Sequence, residues 1–387
     1  MQALLFMTLG NFNDSAYSPL APFIKSDFLL SSAQLGLITS FIFIGSLTMS
    51  SMTGYFVDRL GRNTALKIAF GMMALGSLVA GSAQNYPEIV SGFFIIGFGY
   101  GIVTPSTNSS VMAAYYPHHA RTMGIKQSGV PLGAALAALA LPLVALHFSL
   151  RDALILMALI SGGLAIGIAR DVRPEGSRGS GKGYVREFFS TWRNRLLLLV
   201  SLPVAFLSWG QQSLLTYFVV YMRFRGFPII WSEILLAVLL AGSVAGRLFW
   251  VNLSERMFSR NRSRMIAVIM LIAGLLFITF SLVAWNILEA GVMAFVLGMS
   301  AIGWNSTYVT LISEIAPRDR IGLFSGVSLM MISMGTILGT PLSGTVVDVI
   351  SYNAMWRLIG LFLILMSLTV ALMQRYLARH ISGTPNP

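Results

Sequence analysis

Three ionisable residues, Asp14, Lys126 and Arg247, sit inside stretches that are otherwise apolar. A charge in such a place is costly unless it meets water, a partner or a passing ligand. Asp14 comes ~16 Å into its stretch at 1.5 Å per residue, close to the middle of a ~30 Å hydrocarbon layer. A carboxyl there that takes a proton on one side and releases it on the other is what coupling to a proton gradient needs. The competing reading is a structural Asp held by Asn11 or by a basic side chain. Arg247 lies ~12 Å before the charged pair Glu255-Arg256. Its guanidinium stays ionised and can grip a carboxylate with two parallel hydrogen bonds; packing, or an ion pair with Asp14, is the alternative. Lys126 follows Arg121 closely enough to snorkel to an interface instead of binding anything.

Uncharged polar groups cluster in similar stretches. Thr104, Ser106, Thr107, Asn108, Ser109 and Ser110 surround Pro105; Gln211, Gln212 and Tyr217 form a second group, and Trp304, Asn305, Ser306 and Tyr308 a third. Small hydroxyl residues often serve helix packing in membranes. The larger groups read as the wall of a wet path. Arg247, Gln211, Asn305, Trp304, Lys126 and Asn108 are the expected solute contacts, and Asp14 the expected proton carrier. Other chemistry finds no support. Cysteine is absent, which excludes disulfides and thiolate metal sites. His118-His119 has no acidic neighbour and reads as solvated, so no metal is expected. The phosphate-binding pattern GxxxxGK[ST] is missing, and no nucleophile stands with a base. Neither an enzyme nor a cofactor is expected; a proton or other ion gradient would supply the driving force.

The elements that must position these residues follow from composition. Of 387 residues 56% are hydrophobic and 10% charged, against roughly 25% charged in soluble domains. Twelve apolar runs are long enough to span a bilayer: 3–24, 33–56, 65–83, 88–114, 122–147, 152–169, 196–221, 231–252, 265–285, 290–313, 321–347 and 354–376. They are too long and continuous for the strands of a barrel. The first run carries Asn11, Asn13 and Asp14 at its centre, unlike a cleaved signal segment, and is expected to stay as a membrane helix. The net charge of +12 would suggest nucleic acid in a soluble protein. Here the basic residues sit in alternate gaps between runs, where they set orientation. No nucleic-acid partner is expected. The richer gaps hold Arg59, Arg62 and Lys67, then Arg256 to Arg264, then Arg318 and Arg320, which puts both termini in the cytoplasm.

The segment between Asp171 and Arg195 turns to Gly, Ser and charge and reads as a flexible linker. The expected organisation is an N-terminal six-helix bundle over 1–170, a cytoplasmic linker over 171–195, a C-terminal bundle over 196–378 and a cytoplasmic tail over 379–387. The two halves look duplicated. Gly129-Val130-Pro131-Leu132-Gly133 parallels Gly339-Thr340-Pro341-Leu342-Ser343-Gly344, and Asp58-Arg59 parallels Glu255-Arg256, at offsets near 200. Parallel repeats with a solute site between them are a known transporter design.

After the second run comes Gly54-Tyr55-Phe56-Val57-Asp58-Arg59-Leu60-Gly61-Arg62-Asn63. It resembles the signature loop of the major facilitator superfamily, G-x-x-x-D-R-x-G-R-[RK], with Asn63 in place of the last basic residue. The resemblance covers the whole chain. It implies an all-α membrane protein with twelve transmembrane helices in two pseudo-symmetric bundles, working by alternating access. It implies that Gly54, Asp58, Arg59, Gly61 and Arg62 form a conformational latch and not the solute site. Asn11-Phe12-Asn13-Asp14 with Pro19 and Pro22 is similar to the anion:cation symporter branch. Arg247 resembles the arginine that binds substrate carboxylate in monocarboxylate and oxalate transporters. The function implied is secondary transport of a small organic anion with proton coupling in a bacterial inner membrane, by a monomer whose partners are the solute and membrane lipid. An efflux pump for amphipathic compounds is the alternative; Phe93, where helix four of this fold often has arginine, and Val130, which parts Gly129 from the Pro131 that drug:proton antiporters usually carry next to it, argue against it.

Overall fold

A computed structural model describes residues 2–115, 120–168, 190–258, 262–283, 286–317 and 320–381. The side chains of 51, 54–59, 112, 113, 120, 121, 124, 321, 322 and 374–381 fall outside that description. So do most of the expected linker and the end of the expected tail.

The described chain is a succession of helices. They are α1 (Gln2–Ser15), α2 (Tyr17–Asp27), α3 (Ser32–Leu60), α4 (Arg62–Ser82), α5 (Tyr86–Tyr115), α6 (Ala120–Gln127), α7 (Gly129–His147) and α8 (Leu150–Gly167). They continue with α9 (Arg195–Phe224), α10 (Ile229–Phe258), α11 (Arg262–Leu282) and α12 (Ile287–Leu297). After a π-helical turn, Gly298–Ile302, come α13 (Asn305–Ile315), α14 (Ile321–Val349) and α15 (Tyr352–Ile381). Among the described residues, eleven segments are long and apolar enough to cross a membrane. The first expected run is the exception, because it breaks at Ala16 into two helices, each too short to cross alone.

Three runs are interrupted where they carry polar residues. The first breaks just after Asp14. The fifth breaks at Ser128, two residues after Lys126. The tenth widens into its π-turn and then a short turn immediately before Asn305. In a bilayer such breaks are tolerated where protein or water satisfies the freed backbone groups, and π-turns recur at functional sites.

The chain divides into two compact units, Met1–Gly179 with Thr216–Ala237, and Ser180–Leu215 with Val238–Pro387. In the first unit α5 packs on α3 and α4, α4 on α8, and α1 on α7. Glycines set these contacts. A Cβ on Gly97 or Gly101 of α5 would strike the carbonyls of Ile42 or Ser46 on α3. One on Gly133 of α7 would strike Thr8 O on α1. This is the close backbone approach that small residues permit in membranes, where lipid tails offer no hydrophobic drive to associate. The hairpin joining α9 to α10 clusters with this unit. Thr216 and Thr39 share a hydroxyl hydrogen bond of 2.9 Å, and Tyr217 donates to Ser32 O at 2.8 Å. Two helices of the unit end alike. Leu30 N bonds Lys25 O at 3.0 Å after α2, and Phe227 N bonds Met222 O at 3.0 Å after α9. Each end turns through a positive φ, 92° at Gly226 but 50° at Leu29, where a side chain must be accommodated.

The second unit repeats the pattern. Gly242 and Gly246 of α10 lie against the carbonyls of Phe295 and Met299, and Gly335 of α14 against Ala205 O of α9. Gly274 of α11 and Gly360 of α15 face each other's backbone. The stacked Phe277 and Trp356 rings, with centroids 5.5 Å apart, fill the space beside them.

Candidate functional site

In the first unit the first, fourth and fifth runs bring their polar residues together. Asn11 donates through Nδ2 to Met7 O at 3.0 Å and accepts from Tyr100 Oη at 2.9 Å. It is therefore committed to helix packing and does not hold Asp14. Asp14 is partly exposed at the C-terminal end of α1, and its carboxyl forms no hydrogen bond or ion pair among the described residues. A carboxylate with no protein partner, in the middle of an apolar span, is retained only if water or a ligand compensates it. Lys126 is buried, with 1% exposure, and donates a short hydrogen bond to Asn108 Oδ1. The snorkelling expectation therefore fails: the ammonium turns inward to α5 instead of outward to an interface. Asn108 itself remains partly exposed. Thr104 and Thr107 line up on the sulfur of the buried Met7, at 3.8 and 4.0 Å.

In the second unit Gln211 and Asn305 meet. Asn305 Nδ2 donates to Gln211 Oε1 at 3.0 Å and to Ile302 O at 3.1 Å. The second acceptor is a carbonyl of the π-turn, so the turn orients the amide. Both residues are partly exposed. Trp304 is buried, with 1% exposure; its indole N–H returns to Ala301 O at 3.1 Å and its ring stands edge-on to Tyr308. Tyr308 in turn donates to Ser201 at 2.9 Å. Arg247 is partly exposed on α10, one residue past Gly246, whose close approach to Met299 O brings α10 against the π-turn. Trp250 Nε1 donates to the same carbonyl at 2.8 Å.

Of the latch residues, Gly61 has φ 85° between α3 and α4, a conformation that needs glycine. Arg62 donates to Ser109 O at 3.5 Å. The side chains of Gly54, Asp58 and Arg59 lie outside the described residues, as do His118 and His119.

Sequence reasoning passed over Glu233. It is 5% exposed, and neither carboxylate oxygen has a hydrogen-bond partner. It sits in the second turn of α10, close after Arg223 and Arg225, where a lone acid reads as an interfacial residue. The only signal was its place on the same helix face as Leu236, which is also buried. No group of three or more His, Asp or Glu that could hold a metal occurs among the described residues.

Comparison with known proteins agrees with this architecture. The chain is 30% identical over 165 residues to the hexuronate transporter of Bacillus subtilis (strain 168), a match covering 41% of this chain and 39% of that protein. It therefore spans well under two thirds of that relative. A probable 4-methylmuconolactone transporter of Cupriavidus pinatubonensis (strain JMP 134 / LMG 1197) is 24% identical over 323 residues, 80% of this chain and 74% of the relative. Among solved structures, the nucleoside transporter NupG superposes with a TM-score of 0.78 at 15% identity, over 96% of this chain and 99% of that one. The family model of the Major Facilitator Superfamily matches residues 3–340. With its helical spans and duplicated packing, the chain belongs to the major facilitator superfamily of membrane transporters.

Proposed function

We propose that the chain moves a small organic anion, a carboxylate, across a bacterial inner membrane by alternating access, coupled to protons. The observation that carries the reading is Asp14: a partly exposed carboxyl beside a helix break, in a membrane span, with no hydrogen bond or ion pair among the described residues. Discontinuous helices of this kind bind substrates and coupling ions in transporters. Arg247 supplies the fixed positive charge that a carboxylate requires. The Gln211–Asn305 amide pair and Asn108, presented by Lys126, supply neutral hydrogen-bonding groups. Trp304 packs behind Asn305 and shapes the wall. The relative named a hexuronate transporter carries, by its name, a sugar acid, which supports the anion reading.

In this scheme one substrate charge meets the fixed charge on Arg247, and Asp14 cycles between carboxyl and carboxylate. The residues around Gly61 act as a latch on the cytoplasmic side, both termini are cytoplasmic, the linker over 171–195 joins two six-helix halves, and the unit of transport is a monomer.

The test is a thermal-shift screen of the purified chain against organic acids, neutral sugars and amino acids, since a ligand that binds the folded state raises its stability by mass action. Selective stabilisation by carboxylates, lost in Arg247→Gln, is the expected result. Stabilisation only by neutral sugars or by lipophilic cations would overturn the anion assignment, and the second of these would favour efflux of amphipathic compounds.

A further inference from the structure

A groove of about 350 Å³ opens in the first unit, with neither Asp14 nor Lys126 in its lining. Phe23 and Lys25 of α2, Leu146 of α7, Val220 and Arg223 of α9 and Ile229 of α10 line it. Three of the contributing spans end or begin at this level, at His147, Phe224 and Ile229. That is the depth at which hydrocarbon gives way to headgroups. The lining is divided in the same sense. Phe23, Leu146, Val220 and Ile229 give an apolar wall, while Lys25 and Arg223 occupy the last turns of their helices.

We propose that this groove binds one phospholipid with an anionic headgroup, its phosphate between Arg223 and Lys25 and an acyl chain along Leu146, Val220 and Phe23. Arg223 is exposed and its guanidinium forms no hydrogen bond or ion pair among the described residues, so its donors are available to a phosphate. Lys25 is oriented by a 2.8 Å hydrogen bond to Ser32 Oγ, which holds its positive charge at the groove. Arg225, held beside the Tyr221 ring at 5.8 Å, adds a third positive charge nearby. The exposed Asp27, bonded by Ser26 Oγ at 3.4 Å, offsets one of them. The balance favours an anionic over a zwitterionic head, and interfacial cations attract anionic lipid.

The groove is built partly from the Thr216–Ala237 hairpin and partly from α2 and α7, all within one unit. A lipid seated there bridges the hairpin to α2 and adds to the Thr39–Thr216 and Tyr217–Ser32 hydrogen bonds. Its occupancy therefore stabilises this packing. Nothing in the proposal depends on which solute is carried.

The experiment uses the full chain in neutral detergent with added phosphatidylglycerol, phosphatidylcholine or glycerol phosphate. Unfolding temperature and the number of lipids retained in native mass spectrometry are measured. One tightly retained phosphatidylglycerol and a selective rise in unfolding temperature are expected. Arg223→Gln weakens that retention about fivefold, the loss expected for one interfacial cation. Leu146→Trp, at a position already 41% exposed, fills the groove and abolishes it. Arg151→Gln, an exposed arginine that does not line the groove, changes nothing. Equal effects of phosphatidylcholine, an equal effect of glycerol phosphate alone, or equal losses from Arg151→Gln and Arg223→Gln would each overturn the proposal.

Discussion

The two units share a scaffold and differ in chemistry. In both, a glycine of the fifth or eleventh run lies under a carbonyl of the first or seventh: Gly133 on Thr8 and Gly335 on Ala205. In both, a tyrosine of the fourth or tenth run donates 2.9 Å hydrogen bonds to the first or seventh, Tyr100 to Asn11 and Tyr308 to Ser201. In both, an arginine opening the third or ninth run reaches the end of the fourth or tenth: Arg62 to Ser109 O and Arg262 to Glu314, the latter an ion pair at 2.5 Å. The polar residues beyond this scaffold are not duplicated. The first unit holds the carboxyl of Asp14 and the Lys126–Asn108 pair, and the second holds Arg247 and the Gln211–Asn305 pair. Packing has been kept twice, while each half carries a different part of the proposed chemistry.

That contrast can be broken where the effects are largest. Arg247→Gln removes the only permanent charge among the proposed solute contacts of the second unit and is expected to lower carboxylate uptake by about two orders of magnitude, the usual scale for losing one partner of a buried charge pair. Uptake of radiolabelled substrate into liposomes checks this, with Lys126→Gln as the first-unit comparison and a smaller loss expected. Wild-type uptake in Arg247→Gln would remove the functional asymmetry.

The shared scaffold makes a prediction of intermediate size. Gly97→Ala in the first unit and Gly246→Ala in the second each push a methyl into a neighbouring carbonyl, at a cost of about 1–3 kcal/mol. Gly71→Ala meets nothing within 4 Å and should be neutral or stabilising by up to about 1 kcal/mol. Thermal unfolding in detergent ranks the three. Equal behaviour of Gly97→Ala and Gly71→Ala would refute the packing argument.

The smallest effect sharpens the second unit. A double-mutant cycle on Gln211→Ala and Asn305→Ala should give a coupling energy of about 0.6–1.7 kcal/mol, the range measured for interhelical side-chain hydrogen bonds. Zero coupling in stability would mean that the amide pair does not hold α9 to the tenth run.

Much of this was legible in the chain. Among the described residues every expected run is helical, three of them with a break, because a long apolar stretch leaves the backbone no other way to satisfy its hydrogen bonds in lipid. The polar candidates were readable for the same reason: an ionisable residue in such a stretch is conspicuous. What periodicity could not show is where helices break. Ala16 and Ser128 are ordinary helix residues, and the π-turn at Gly298–Ile302 follows from the packing of Gly298 and Met299 against α10, which is tertiary. The direction of Lys126 was misjudged because snorkelling is a matter of reach, whereas Asn108 offered a nearer acceptor. Glu233 escaped notice because proximity to basic residues in sequence hid its burial. The attachment of Thr216–Ala237 to the first unit is likewise invisible, since apolar runs do not name their neighbours.

The central claim is that Asp14 carries the coupling proton, and it is tested most directly by imposing an inward proton gradient on liposomes containing the wild type or Asp14→Asn and following a carboxylate substrate. The wild type should concentrate the substrate, while Asp14→Asn should equilibrate or exchange it without concentrating it. Full proton-driven accumulation by Asp14→Asn would contradict the account.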